Sequence, residues 1–265
     1  MGWTWYLSVD YQLYLMAPFL MVPIVRGWKR TGLTIAVVTS LSFVAAAGYI
    51  SYRYKMAETL IQTSTSDGGL VNVYDVLNRL YYEPWCRVAP YITGLIMGHY
   101  FRVTECRIRV PKAVVVVGWI LSTVVGLTMV FGMYESYSHH HLTTVLGAAI
   151  YNSLKDACFS LAVAWVIFAC VTGNGGFVNT ILSWKAFILI SRVTYCMYLV
   201  HIPVLFYFSF AQEGAIWWTE SYLVINWLGL LAVSAMIAVI ISLTTEAPSL
   251  RAEKLILNKL GFTMF

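Results

Sequence analysis

Charged side chains are scarce in this sequence. Only 11% of its 265 residues are Asp, Glu, Lys or Arg, whereas a soluble domain carries roughly 25%. Hydrophobic residues make up 60%, and the mean hydropathy is +0.73. Such a chain has too little polar surface for a water-soluble domain. The formal charge is +5. In a membrane protein an excess of Lys and Arg is typical of the cytoplasmic loops, so we do not attribute it to nucleic-acid binding and expect no nucleic-acid partner.

Motifs for metals and for several common catalytic mechanisms are also missing. The five cysteines show no CxxC or Cys/His spacing, which argues against a disulfide framework or a zinc site. His139–His141 form a triplet with only Glu135 nearby, so we interpret them as a solvated loop and expect no metal. Gly173–Gly176 has no Walker lysine, and the sequence has no Gly-x-Ser-x-Gly elbow or His-x-x-x-x-Asp box.

Long apolar segments dominate what is present. A helix needs about 20 mostly apolar residues to cross a bilayer, and seven segments approach or exceed that length. The predicted spans are Leu7–Val25, Thr31–Tyr52, Val88–Phe101, Ala113–Tyr134, Leu146–Val171, Ala186–Phe210 and Tyr222–Thr245. The sequence therefore predicts an all-α fold, a polytopic transmembrane bundle of about seven spans, in the plasma membrane or an endomembrane.

The basic residues alternate across these spans. Most lie in the first, third and fifth connections and in the C-terminal tail: Arg26, Lys29, Arg30, Arg102, Arg107, Arg109, Lys112, Lys185, Arg251, Lys254 and Lys259. Because cytoplasmic loops are enriched in Lys and Arg, we predict an outer N-terminus and a cytoplasmic C-terminus. The long outer loop, about Arg53–Trp85, is predicted to contain a short helix within Val71–Tyr82.

Ionisable residues within spans are informative because burying them in lipid is costly. Asp10 lies in the first span, with Tyr6 and Tyr14 four residues to either side, so the three share a helix face. Its carboxylate can act as a general base, as a substrate hydrogen-bond acceptor or as a packing partner near the interface. The residues alone leave these three roles open.

The sixth span carries a polar stripe. Ser191, Tyr195 and Tyr198 lie on one face, with His201 one turn beyond, and such a stripe is expected to face the bundle interior or a cavity. His201 can transfer protons in catalysis. The alternative is a histidine hydrogen-bonded across helices beside a kink at Pro203.

A charged pair lies in the fifth span. Lys155 and Asp156 are neighbours in sequence, so their side chains point about 100° apart on a helix. We therefore expect each to find a partner on another helix.

Several stretches carry a family resemblance. Trp5–Pro18 resembles the Trp-x-Leu-x-x-(Glu/Asp)-x-Gln-Phe-Tyr-x-x-x-Pro signature of the acyltransferase 3 family, and Ser191–Val204 resembles its closing motif, (Ser/Thr)-Tyr-x-x-Tyr-Leu-x-His-x-Pro. Two further stretches are similar to the animal branch known as nose resistant to fluoxetine proteins, namely Glu83–Gly98 and Gly173–Lys185. The stretch Glu246–Pro248 also fits the family pattern. These motifs are ordered and cover nearly the whole chain.

The resemblance implies a membrane acyltransferase. Its expected donor is acyl-CoA, its acceptor a hydroxyl of a lipid, sugar or small molecule, and no cofactor is expected to be bound. We take Asp10 and His201 as candidate catalytic residues. The candidate substrate contacts are Tyr14, Arg87, Tyr195 and Tyr198, with Arg87 suited to an anion. Membrane lipids are the other expected partners.

The resemblance also predicts what precedes these motifs. Members of the family begin with further helices, one of which holds the histidine usually proposed as catalytic, whereas no histidine precedes His99 in this sequence. We therefore expect residues 1–250 to be the C-terminal portion of an acyltransferase-3-like domain, inactive alone, and residues 251–265 to be a cytoplasmic tail. The alternatives are a protein for membrane transport or lipid and drug uptake without catalysis, and a folded remnant that only contacts other membrane helices.

Overall fold

The computed structural model describes residues 4–57, 73–134, 144–212, 214 and 219–259. Within these ranges the chain forms α-helices, short π and 3-10 turns, and no strand. The helices are α1 (Trp5–Val25), α2 (Lys29–Arg53), α3 (Val73–Val76), α4 (Val88–Thr104), α5 (Lys112–Phe131), α6 (Val145–Val171), α7 (Gly176–Leu182), α8 (Lys185–Phe210), α9 (Glu220–Ile241) and α10 (Ala247–Lys259).

The long helices reproduce the predicted spans. Among the described residues, six helical segments are long and apolar enough to cross a membrane: α1, α2, α5, α6, α8 and the stretch Glu220–Lys259. The remaining predicted span is α4, whose 17 residues measure about 26 Å, close to the ~30 Å hydrocarbon core. The all-α, multi-pass fold is confirmed, while the count of seven and the orientation stay predictions.

Local signals account for several helix ends. The hydroxyls of Thr144 and Thr219 cap α6 and α9 by accepting backbone N–H groups three residues later. Gly27 turns the chain between α1 and α2 at φ +95°, a conformation that costs glycine little. The predicted short helix of the outer loop is α3, which continues into a π turn at Leu77–Tyr81; residues 58–72 of that loop lie outside the described ranges.

The helices fall into two packed units. The first unit runs from Trp5 to Asn179, and the second begins at Thr180 and contains α8, α9 and α10. In the first unit α1, α2 and α4 share an apolar core, and α6 packs against α2, α4 and α5. The buried residues of α6 are mostly small: Ala148, Ala149, Asn152, Ala162 and Ala169. Small side chains let helix backbones approach closely in a membrane.

The second unit is built on the pairing of α8 with α9. After α9 the chain makes a π turn, Ser242–Glu246, before α10. The carboxylate of Glu246 accepts hydrogen bonds from the buried Cys196 thiol at 3.1 Å and from the Ser242 hydroxyl at 2.9 Å. This carboxylate therefore ties the end of α9 to α8.

Candidate functional site

A buried amide organises the polar interior of the first unit. Asn152 of α6 is 4% exposed. Its Nδ2 donates to the Ser51 hydroxyl and to the Ala57 carbonyl, both at 3.0 Å, and its Oδ1 accepts from Lys155 Nζ at 3.0 Å. The side chain thus makes three hydrogen bonds, as a buried amide requires. It fastens α2 and the chain that follows α2 to α6.

A charged pair lies close to this amide. Arg87 Nη1 donates to Asp156 Oδ2 at 3.3 Å, and both side chains are less than one third exposed. The guanidinium also lies over the rings of Trp5, at 5.9 Å, and Tyr81, at 5.3 Å. Asp156 thus has its partner outside α6, in the turn before α4, whereas Lys155 donates to Asn152 within α6. An anionic ligand at Arg87 would have to share the guanidinium with this carboxylate.

Cys86 lies next to the charged pair, in the turn that leads into α4. Burial raises the pKa of its thiol to about 12, and the negative charge of Asp156 acts in the same direction. The thiol is therefore neutral at physiological pH. A partly buried, neutral thiol is a poor nucleophile, so we assign Cys86 no catalytic role.

The polar face of α1 is open. Asp10 is exposed, as are Tyr6 at 51% and Tyr14 at 67%. Asp10 accepts no hydrogen bond from any residue within the described ranges, although it lies, together with Tyr14, within electrostatic range of the Tyr91 hydroxyl on α4. The three residues share one face, as predicted, but this face points away from the packed core.

The second unit contains a cavity between α8 and α9. Its volume is about 410 Å³. Thr194, Tyr198 and His201 line it from α8, and Trp227 and Ser234 line it from α9. The rest of the wall is apolar. Part of the predicted polar stripe therefore borders a partly open groove between two membrane helices.

The hydrogen bonds of His201 fix which ring nitrogen carries the proton when the ring is neutral. Nδ1 lies 2.6 Å from the Tyr198 carbonyl oxygen and 3.3 Å from that of Met197, both on the same helix. A carbonyl can only accept, so the neutral ring carries its proton on Nδ1 and keeps the lone pair on Nε2. Nε2 is thus the nitrogen able to take a proton from a molecule in the cavity.

The candidate residues divide between the two units. Tyr198 and His201 line the same cavity, with ring centroids 5.7 Å apart. Tyr195 is 49% exposed and does not line the cavity. The remaining candidates belong to the first unit: Asp10, Tyr14 and Arg87.

No group of three or more metal-ligating side chains occurs among the described residues. The triplet His139–His141 and the neighbouring Glu135 fall outside those ranges. The expectation that the triplet is a solvated loop without metal therefore stays a prediction.

A profile of the acyltransferase 3 family, described as an acyltransferase domain, matches residues 1–246. The chain belongs to the acyltransferase 3 family. It is similar to Nose resistant to fluoxetine protein 6 of Caenorhabditis elegans, with 29% identity over 272 aligned positions, which cover 97% of this chain and 32% of that protein. It is also similar to Regulator of hypoxia-inducible factor 1 of the same species, with 25% identity over 226 positions, covering 79% of this chain and 42% of the relative.

This acyltransferase 3 chain therefore spans about a third to two fifths of the length of the curated relatives that it matches. No solved structure matches it. The family resemblance read from the motifs is confirmed, and membership supports a membrane acyltransferase in general terms. Donor, acceptor and the roles of single residues go beyond that statement.

Three polar residues that are important in the structure of this acyltransferase 3 chain have no predicted role from the sequence. Asn152 and Ser234 are buried within spans, and Glu246 receives two hydrogen bonds at the end of α9. The predicted site residues are ionisable groups and tyrosines within or beside the spans. An uncharged Asn or Ser within an apolar helix is the sequence signal for Asn152 and Ser234, because such side chains hydrogen-bond across membrane helices.

Proposed function

We propose that this chain contributes to a membrane acyltransferase that moves an acyl group from acyl-CoA to a hydroxyl of a lipid, sugar or small molecule. The observation that carries the proposal is the cavity between α8 and α9, lined by a histidine whose Nε2 is free to accept a proton. The family match over residues 1–246 supports the type of reaction.

The cavity offers the groups that acyl transfer requires. The acceptor hydroxyl attacks the thioester carbonyl and forms a C–O bond, while its proton passes to Nε2 of His201. The C–S bond then breaks, and the departing thiolate takes that proton to leave as the CoA thiol. The hydroxyls of Thr194, Tyr198 and Ser234 border the same cavity and can donate to the negative oxygen of the intermediate.

Asp10 and Tyr14 are proposed as substrate contacts on α1. A carboxylate on a membrane helix is stable only with a polar partner, and no described residue hydrogen-bonds to Asp10. We propose that substrate or further polypeptide supplies this partner. We therefore expect slow turnover from the 265-residue chain alone.

The test measures release of the CoA thiol and formation of the acylated product by the protein in nanodiscs. The chain is compared with the full-length product of its gene. His201→Gln is expected to lower turnover by roughly 10²–10⁴-fold in the active form, whereas the control His99→Gln, on α4, leaves it nearly unchanged. Normal turnover by His201→Gln rejects the role of His201. Flux of a radiolabelled substrate into vesicles without CoA release favours the transport alternative.

A further inference from the structure

We propose that the first unit binds one anionic phospholipid with two acyl chains. The headgroup lies at the turn between α4 and α5, and one chain lies on either side of a ridge that Leu161 and Trp165 form on α6. This site uses none of the residues of the proposed reaction, so it stands apart from the proposed function. Two grooves, the ridge between them and the charge at one end support it.

Two mostly apolar grooves run along α6. The α4 groove, between α4 and α6, has a volume of about 420 Å³, and the α5 groove, between α5 and α6, has a volume of about 280 Å³. Leu161 and Trp165 line both grooves, and Leu161 is 60% exposed. Phe168 lines only the α4 groove and Ala162 only the α5 groove, on opposite sides of that pair around the helix. The pair is therefore a ridge between two neighbouring, partly open grooves.

Both grooves extend along a large part of one leaflet. The α4 groove runs from Thr93 to Tyr100 on α4, and the α5 groove runs from Gly118 to Val125 on α5. Each of these stretches measures about 10 Å along its helix, while one leaflet contributes about 15 Å of the ~30 Å hydrocarbon core. An acyl chain that enters sideways from the bilayer fits an open groove of this length, and the two grooves accommodate two chains side by side.

The turn between α4 and α5 is basic. Four of its side chains are cationic and exposed: Arg102, Arg107, Arg109 and Lys112. The carboxylate of Glu105 lies 3.9 Å from Arg107, and no other described residue forms an ion pair with these cations. Four cations against one carboxylate leave this turn with a net positive charge, which is complementary to an anionic headgroup. Each cation near an anionic lipid surface raises affinity by about fivefold.

Both grooves begin close to this basic turn. Tyr100, at the end of the α4 groove, lies two residues before Arg102, and Gly118, at the end of the α5 groove, lies about 9 Å along α5 from Lys112. A headgroup at the turn can therefore direct one chain into each groove. Enrichment of Lys and Arg in cytoplasmic loops accounts for the charge alone, but it does not account for paired grooves that start beside the charge.

The experiment uses the purified protein in nanodiscs and two phosphatidylserine probes, which carry a diazirine midway along one or the other acyl chain. Native mass spectrometry counts the lipids that the protein retains, and irradiation followed by peptide mapping locates each chain. Because lipid tails are as apolar as the groove walls, the headgroup is expected to provide most of the selectivity. We expect one retained phosphatidylserine, weaker retention of phosphatidylcholine with the same chains, and labels in both grooves.

A charge variant and its control test the headgroup site. Arg109→Gln combined with Lys112→Gln should weaken retention of phosphatidylserine by about 25-fold, at about fivefold per cation. Arg251→Gln combined with Lys254→Gln removes the same charge from α10 and should leave retention nearly unchanged.

A shape variant and its control test the α5 groove. Leu121→Trp adds bulk to a side chain that lines this groove and should remove the labels from α5. Leu127→Trp, on the same helix, 54% exposed and outside the lining of both grooves, should keep those labels.

The outcomes are distinct. Labels in both grooves that require the anionic headgroup support the site. Equal retention of phosphatidylserine and phosphatidylcholine overturns it, as do equal losses in the two charge variants, because binding then depends on general attraction to the protein. Labels confined to one groove, or found outside both, also overturn it. The lipid comparison and the labelling use the unsubstituted protein, so they test the proposal even where a variant fails to fold, and neither depends on release of CoA.

Discussion

Separating Arg87 from Asp156 is expected to destabilise the first unit. Two unit charges 3.3 Å apart attract by about 5 kcal/mol at an effective dielectric constant of 20. The side chains retain 28% and 29% exposure, so water competes for them and desolvation offsets much of this attraction. We expect a net coupling energy of about 1–3 kcal/mol, between the values typical of surface and buried pairs.

The single substitutions are not expected to be equal. Arg87→Ala leaves the carboxylate unpaired and also removes the cation that lies over Trp5 and Tyr81, which adds about 0.5–1 kcal/mol per ring contact. Asp156→Ala leaves the guanidinium with those two rings, so its effect is smaller. Arg87→Lys keeps the charge but loses the planar group, and should fall between the wild type and Arg87→Ala.

The assay is a double-mutant cycle on the free energy of unfolding of the purified protein in detergent. The control is a second cycle on Asp75 and Arg79, a pair of α3 and its π turn at 3.1 Å with side chains 46% and 45% exposed. An exposed pair of this kind is expected to show a coupling energy of roughly 0.2–1 kcal/mol. Equal coupling energies in the two cycles would refute the reasoning, and Arg87 would then be free for a substrate anion.

Three further substitutions or reactions test the first unit. With a pKa of about 12, the Cys86 thiol is ionised to a fraction of about 10⁻⁴ at pH 8. Maleimide should therefore label a variant that keeps only Cys86 far more slowly than a variant that keeps only the exposed Cys106. Equal labelling rates would contradict the raised pKa of Cys86. Asn152→Leu removes the hydrogen bonds to Ser51, Ala57 and Lys155 and should lower the free energy of unfolding by about 2–4 kcal/mol. The measurement is a detergent titration, and an unchanged free energy would contradict the network. Gly118→Ala places a methyl group against the Trp165 ring and should lower the free energy of unfolding by about 1–3 kcal/mol. The control is Gly126→Ala, on the same helix with open space around it, which should leave the stability unchanged or raise it. Thermal unfolding of the two variants measures the difference.

The positions of the helices were predictable because one physical requirement decides them. A chain must supply about 20 apolar residues for each crossing, and runs such as Ala186–Phe210 are visible without any knowledge of packing. The observed α8, Lys185–Phe210, differs by one residue. The family was predictable for another reason, since its motifs are read from residue order alone.

The arrangement of side chains was not predictable to the same degree. In a soluble helix the apolar face marks the core, but in a membrane both lipid and core accept apolar groups. The polar stripe therefore predicted an interior or cavity-facing position for Tyr195, whereas Tyr195 is exposed in the described structure, as is the candidate Asp10. The contact of Arg87 with Asp156 joins positions 69 residues apart, and no spacing rule relates them.

The π turn at Ser242–Glu246 also determines which way the C-terminal helix faces. A π turn holds one more residue than an α turn, and one residue corresponds to about 100° of rotation about the helix axis. Removing Thr244 would hardly change composition or hydropathy. The deletion would nevertheless rotate the side chains of α10, including Arg251 and Lys254, to a different direction around the helix axis. The direction in which this basic helix presents its charges is thus encoded in the length of a five-residue turn.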